Sequence, residues 1–350
     1  MNKRAAAVTL AVGLSVCTYA GIRAEQAPTP PAPPASPAAQ QAGRAGAPAP
    51  PPPSPAAVER AKAILGEART ALGSEKLASL KTLVGNGRTR RVRGNNIQPI
   101  EFEMFLELPD NYLRKDEFPA EESDPTALGF AAGTLIQVPP APTAPPVARA
   151  GGPPPPTPQQ IEAQRAARVN GLKQDYARLV LGFLADSPAY PLTFAFAARA
   201  EAPQGTAEVL DGRGPGTFAL RLYINSATHL PIMVSWQSPP TNVIITVPGQ
   251  PPPATVAPGA VVVAGPPAPG ASAPQAEKDQ YARDVVALRA KTQATPVENR
   301  IYFADYREVD GIRLPFRLRR AIGTDTTEET TFDRFRVNAK IDPKIFPTGK

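Results

Sequence analysis

Residues 312–319 read Ile-Arg-Leu-Pro-Phe-Arg-Leu-Arg. Ile312, Leu314, Phe316 and Leu318 share one parity, and Arg313, Arg317 and Arg319 the other. A period of two is that of a strand with one dry face and one wet face. Ile301 to Tyr306 precede it across Asp310-Gly311, a pair suited to a tight hairpin because Gly311 accepts positive φ without a Cβ clash. Beyond a turn near residues 323–327, Thr330 to Val337 supply a third strand. The C-terminal part of this chain therefore has to fold as an antiparallel meander.

Proline limits how far such a fold extends. The chain has 350 residues and 46 prolines, gathered in blocks that bury little. With those set aside, roughly 200 residues remain, enough for one sizeable core. Residues 25–54 are Ala, Pro, Gln and Gly without periodicity, and predict a disordered, partly polyproline tether. Residues 119–156 and 239–274 read as flexible insertions in a single domain spanning 55–346, with 347–350 as a tail. Within the first, Leu128, Phe130, Leu135 and Ile136 are suited to touch the core. Within the second, 243–247 and 261–263 suit a loose hairpin.

Residues 1–24 have the form of an export signal: Lys3 and Arg4, an apolar run from Ala5 to Val16, then small residues around Thr18, Ala20 and Ala24. No later stretch reaches a bilayer span. The expected location is the periplasm or another extracytoplasmic compartment. Cys17, the only cysteine, lies in this segment. Leu14-Ser15-Val16-Cys17 weakly matches a lipobox, which makes Cys17 a candidate for lipidation beside ordinary cleavage. The folded part has no thiol pair for a disulfide or a thiolate metal site.

Helices frame the sheet. Ser54-Pro55 is an N-cap followed by proline at the first helical position, and Val58, Ala61, Leu65, Ala68 and Leu72 form a stripe ended by Gly73. Leu77, Leu80 and Leu83 suit a short second turn of helix. Thr157-Pro158-Gln159-Gln160 is a capping box. The long helix after it carries Leu172, Tyr176, Leu179 and Phe183 on one side and stops at Asp186-Ser187-Pro188. A further helix is expected near 276–291. Strands are expected at 82–93, 100–108, 112–115, 192–200, 206–211, 217–224 and 229–236.

The chemistry of catalysis is sparse. His229 is the only histidine and sits at a turn, and no serine stands in a nucleophile-elbow context. Zinc would need histidines or cysteines the chain lacks. Glu121-Glu122 and Glu328-Glu329 are adjacent, so on a strand they face apart, and they read as solvated turns. No glycine-rich piece has the Lys and Ser/Thr of a phosphate loop. The expectation is a non-enzymatic protein without cofactor or metal. Net charge is +7, and the cluster Arg88, Arg90, Arg91 and Arg93 is better placed to face Glu101, Glu103 and Glu107 on a neighbouring strand than to bind nucleic acid.

The succession of a helix, a sheet, a capped long helix and terminal hairpins resembles the LolA-like family of periplasmic carriers that move lipoproteins between bacterial membranes. Two stretches carry the resemblance: Leu222-Tyr223-Ile224-Asn225 through Thr228-His229-Leu230-Pro231, and Tyr306 through Val309-Asp310-Gly311-Ile312-Arg313-Leu314-Pro315. It implies an α+β fold, mainly antiparallel β, in which an incomplete β-barrel is covered by helices and interrupted by disordered Pro-rich segments. It further implies a hydrophobic cavity for a lipid or a lipoprotein acyl chain.

Candidate lining residues are those on dry strand faces, Phe102, Met104, Leu106, Phe194, Phe196, Leu220, Leu222, Trp236, Leu314 and Phe316. Leu172, Tyr176 and Phe183 of the covering helix complete the set. An ordinary close-packed core is the alternative use of the same residues. A non-enzymatic scaffold or sensor, binding an envelope protein through a sheet edge or the Pro-rich arms, is the alternative function.

Overall fold

The structure, a computed structural model, describes residues 52–93, 96–121, 123–140, 157–202, 205–250, 256–257 and 259–346. The export segment with Cys17, nearly all of the tether, residues 141–156 and the tail at 347–350 lie outside the described residues.

Helix α1 (Pro55–Leu72) starts as its sequence dictates, the Ser54 hydroxyl accepting from the Ala57 N–H at 3.2 Å. Ala61, Ile64, Ala68 and Leu72 form its buried face, whereas Val58 is exposed. The short α2 (Ser74–Ala78) leads into β1 (Thr82–Arg93), β2 (Asn96–Glu107) and β3 (Asn111–Glu117). The strands β4 (Thr126–Ala131) and β5 (Thr134–Val138) follow before α3 (Pro158–Leu184). Then come β6 (Thr193–Ala202), β7 (Gly205–Arg213), β8 (Ala219–Asn225) and β9 (Pro231–Ser238). The small pair β10 (Asn242–Thr246) and β11 (Ala260–Ala264) precedes α4 (Gln275–Gln293). The chain closes with β12 (Val297–Val309), β13 (Ile312–Ile322) and β14 (Asp325–Val337).

Twelve strands make one sheet in the order β5-β4-β3-β2-β1-β14-β13-β12-β9-β8-β7-β6. Every neighbouring pair in it is antiparallel, and β5 and β6 are left as edges. The C-terminal meander lies at its centre, so β1 joins β14 and ties the first-made half of the sheet to the last. Gly311, at φ 81°, turns β12 into β13. Pro315 has no N–H for the ladder and pairs with Tyr306, next to Asp305 at φ 56°, and the register is unchanged from Ala304–Arg317 to Tyr306–Pro315.

The sheet curls around α3. Tyr176 packs on Phe130 of β4 with ring centroids 5.5 Å apart. Six residues later the Gly182 carbonyl accepts from Tyr306 of β12 at 2.7 Å. Those residues span about 9 Å of helix axis, while β4 and β12 would lie roughly 29 Å apart in a flat sheet at normal strand spacing. Only a strongly bent sheet brings both to one helix. Its concave face, with α1 and α3, encloses the main core. On the convex face Val84, Phe105 and Leu113 are covered by Ile341, Ile345 and Phe346 of the C-terminal segment.

Within the first Pro-rich insertion residues 126–138 form a hairpin on the edge of the sheet, and Phe130 and Leu135 touch the core as expected, Phe130 fully buried with its ring against Tyr176 of α3. One reading of the second insertion is corrected. The pair β10–β11 is parallel, not a hairpin. Parallel neighbours need a long connection, and the Pro-rich run between them supplies it.

Candidate functional site

Only part of α3 is pressed onto the sheet. Its capping box is formed as the sequence dictates, with Thr157 and Gln160 satisfying each other's N–H groups. Residues 158–168 are exposed, and the buried residues begin at Val169 and run densely from Tyr176 to Leu184. At the C-terminal end packing is solid: the Phe183 ring stands edge-on to Phe332 and Phe335, each 5.9 Å away. Beneath the middle of the helix the contact opens into a cleft of about 290 Å³.

Strand parity gives this cleft two unlike ends. On β2 Met104 and Phe102, on β13 Leu318 and on β14 Phe332 form an apolar floor, roofed by Leu172, Tyr176 and Leu179. Continuing the same parity along each strand leads from oil to charge: Leu318 to Arg320, Thr330 to Glu328, Thr89 to Arg91, and Tyr112 through Arg114 to Asp116.

The charged end is tightly knit. Arg114 binds Asp116 at 2.6 Å, donates to the Thr89 hydroxyl at 3.0 Å and lies over the Phe102 ring at 4.4 Å. Arg91 contacts Glu328 at 3.3 Å and Asp116 at 3.9 Å, and Arg114 reaches Glu328 at 3.8 Å. Burial pushes the Glu328 carboxyl up, but Arg320, Arg114 and Arg91 together hold it below its ordinary value. Burial likewise opposes charge on Arg114, and Asp116 and Glu328 outweigh it and raise its pKa. Both groups are therefore fixed in their charged forms. Tyr176 differs: its hydroxyl is buried without a hydrogen-bond partner among the described residues, and desolvation raises its pKa.

Of the residues picked from the sequence, Phe102, Met104, Leu172 and Tyr176 come together around the cleft. Leu106, Leu220, Leu222 and Leu314 are fully or almost fully buried in the core, and Phe183 is part of the solid end of the helix contact. Phe316 packs edge-on to Phe335 at 5.1 Å. Phe194 and Phe196 lie toward the β6 edge, Phe196 beneath the Arg60 guanidinium of α1 at 3.6 Å. Trp236 stacks with Arg178, which also lies over Phe218 and pairs with Asp175.

The charged residues were missed because parity was not followed past Leu318. Arg320 is two residues beyond it and shares its face. Glu328 is no solvated turn, since it lies within β14 with its side chain 13% exposed. Arg91 turns inward to the cleft, and the pairing across strands is also redistributed: Arg88 meets Asp333 and Glu103 meets Arg336.

His229 is at the β8–β9 turn with φ 56°, its Nδ1 3.2 Å from Glu67 of α1, and both side chains are substantially exposed. Among the described residues no cluster of His, Cys, Asp or Glu has the makings of a metal site. None of their helices is long and apolar enough to cross a membrane.

An open, bent antiparallel sheet wrapped on helices is the arrangement that the sequence resemblance implied. The fold is α+β, an open twelve-stranded antiparallel sheet with helices laid over it. No family model matches the chain, and neither does any curated protein. Among solved structures, a LolA superfamily protein from Nitrosomonas europaea is similar at TM-score 0.41 and 10% identity, over 82% of this chain and 97% of that one. A DUF1329 family protein from Desulfovibrio piger is similar at TM-score 0.38 and 9% identity, over 82% and 96%. A putative outer membrane lipoprotein-sorting protein domain from Vibrio parahaemolyticus is similar at TM-score 0.38 and 7% identity, over 82% and 97%.

Proposed function

We propose that this chain is an exported, non-enzymatic binding protein of the cell envelope, which holds an acyl chain of a lipid or lipoprotein in the cleft beneath α3. The observation that carries the reading is the cleft itself, floored by Phe102, Met104, Leu318 and Phe332 and roofed by a helix. Dry strand faces normally close on themselves at crystal-like density, so a cleft with an apolar floor beneath a helix is a feature in need of an occupant. Its volume limits that occupant. Ligand pockets run from roughly 300 to 1,000 Å³, and about 290 Å³ is at the bottom of that range. The size supports one chain, not the several chains of a fully acylated lipoprotein.

The titration behaviour supports binding over catalysis. A general acid or base works best with a pKa near the operating pH. Glu328 is held below the ordinary carboxylate value and Tyr176 is raised by burial, so both are moved away from neutral pH instead of toward it.

Leu172 is half-buried on the rim of the cleft. The substitution Leu172→Trp should fill the opening without disturbing the core, and weaken binding of a fluorescent fatty-acid probe at least tenfold with an unchanged melting curve. Mass spectrometry of lipids extracted from the exported protein should show acyl-chain lipids, depleted in the variant. If the native protein retains no lipid and takes up no probe, the reading fails.

A further inference from the structure

The cleft has one end that an apolar chain alone does not use. Arg91, Arg114 and Arg320 meet Asp116 and Glu328 there, three guanidinium groups against two carboxylates. Contacts of 2.6 to 3.9 Å tie Arg91 and Arg114 to the two acids. Asp175, on the helix side, is taken by Arg178 at 2.7 Å. Arg320 stands opposite Glu328 across β13 and β14 and adds to the pull on its carboxyl, but among the described residues it has no ion pair within 4.0 Å and no side-chain hydrogen bond, and it lies on the inner face of β13, two residues from Leu318. Three guanidinium groups against two carboxylates leave the cluster one positive charge over on the inner face of the central strands, and Arg320, the one without an ion-pair contact, is the group free to turn to an anion.

We infer that the cleft is specific for an amphiphile with a negatively charged head, the chain lying on Phe102, Met104 and Phe332 and the head on Arg320. This rests on the reading of the cleft as an acyl-chain site and adds the head-group chemistry to it. The repulsion of Glu328 for such a head is offset by Arg91 and Arg114, both in contact with it, so that Arg320 can be shared between Glu328 and the head. A planar guanidinium in a partly water-excluded site favours carboxylate and phosphate oxygens alike. A free fatty acid and a phospholipid head share that chemistry.

The test is a matched set of probes with one chain and four heads: dodecanoate, dodecyl phosphate, dodecanol and dodecylamine, each titrated into the purified full-length chain by calorimetry. A charge-assisted hydrogen bond predicts that the anions bind about tenfold or more tighter than the alcohol, with the amine weakest. Preference for dodecanoate points to a fatty acid, and preference for the phosphate to a phospholipid. Arg320→Gln should bring the anions down to the level of the alcohol while leaving the alcohol unchanged, and Arg320→Lys should restore part of the difference. Added salt should narrow the gap in the native protein, which keeps the test decisive even if the Gln variant fails to fold. Equal binding of alcohol and anions, or a preference that survives Arg320→Gln, overturns the inference and leaves the acyl-chain reading standing. If no probe binds, both fall.

Discussion

Glu328 shows how much one residue on the wrong side of a strand depends on its neighbours. Its carboxylate is 13% exposed and faces Arg91, Arg114 and Arg320, with Asp116 as the nearest like charge across the cluster. Removing one member of a fully buried ion pair costs roughly 3–5 kcal/mol. The cleft is open to water, so Glu328→Gln should cost about 2 kcal/mol, readable as a lower midpoint in urea. The pH dependence follows from the sign of the shift. The folded carboxyl titrates below its ordinary value, so its contribution is present above that ordinary value and disappears as the pH falls through the folded one. Native and Gln proteins should differ in stability at pH 7 and converge in acid; a difference that stays constant down to pH 3 would refute the assignment. Nothing in local sequence marks Glu328, since Glu-Glu followed by Thr-Thr reads as surface. Only its parity with Thr330 and Phe332 places it inside, and parity becomes meaningful once the strand is known to run unbroken from Asp325.

At the scale of elements, the long helix is set by two contacts that no helix pattern reveals. A Cβ on Gly182 would meet the Phe303 ring at 2.2 Å. The Tyr306 hydroxyl, fully enclosed, lies 2.7 Å from the Gly182 carbonyl and 2.8 Å from that of Pro231. Ala in place of Gly within a free helix gains about 1 kcal/mol, but an approach of 2.2 Å to the Phe303 ring belongs to the upper part of the overpacking range, about 2–3 kcal/mol. Gly182→Ala is therefore expected to be net destabilising by about 1–2 kcal/mol, a fall of roughly 2–8 °C in Tm for a domain of this size. A variant as stable as the native protein would mean that α3 is not seated where Phe303 places it. Element boundaries were far more legible than these contacts. Ser54, Thr157 and Asp310-Gly311 announce their caps and turn through local hydrogen bonding and φ preference, which sequence encodes directly. The β4–β5 hairpin was hidden because its Pro-rich surroundings outweigh the short alternation of Leu128 and Phe130. The nine core and edge residues proposed as cavity lining show the same limit: alternation identifies a dry face, but whether that face meets a side chain or a space is decided by distant elements.

For the whole molecule, the strand order makes α3 and the central sheet one cooperative unit and leaves α4 outside it. The cleft draws on β1 to β4, on α3 and on β13 and β14, so its walls come from both ends of the folded chain. By contrast α4 buries only Thr292 of its nineteen residues and leans on the two-stranded β10–β11 pair. Regions with few buried contacts open locally, whereas core elements exchange only through global unfolding. Amide exchange should accordingly be slowest in β1, β13, β14 and the second half of α3, and faster by orders of magnitude in α4. A ligand bound only by the native state at one hundred times its Kd adds about 2.7 kcal/mol to global stability. Saturation with an acyl-chain probe should slow exchange throughout the sheet and α3 by about a hundredfold, while α4, which can open with the cleft intact, keeps its rates. Slowing of α4 together with the core would show that the two unfold as one, and slowing of α4 alone would move the binding site away from the cleft altogether.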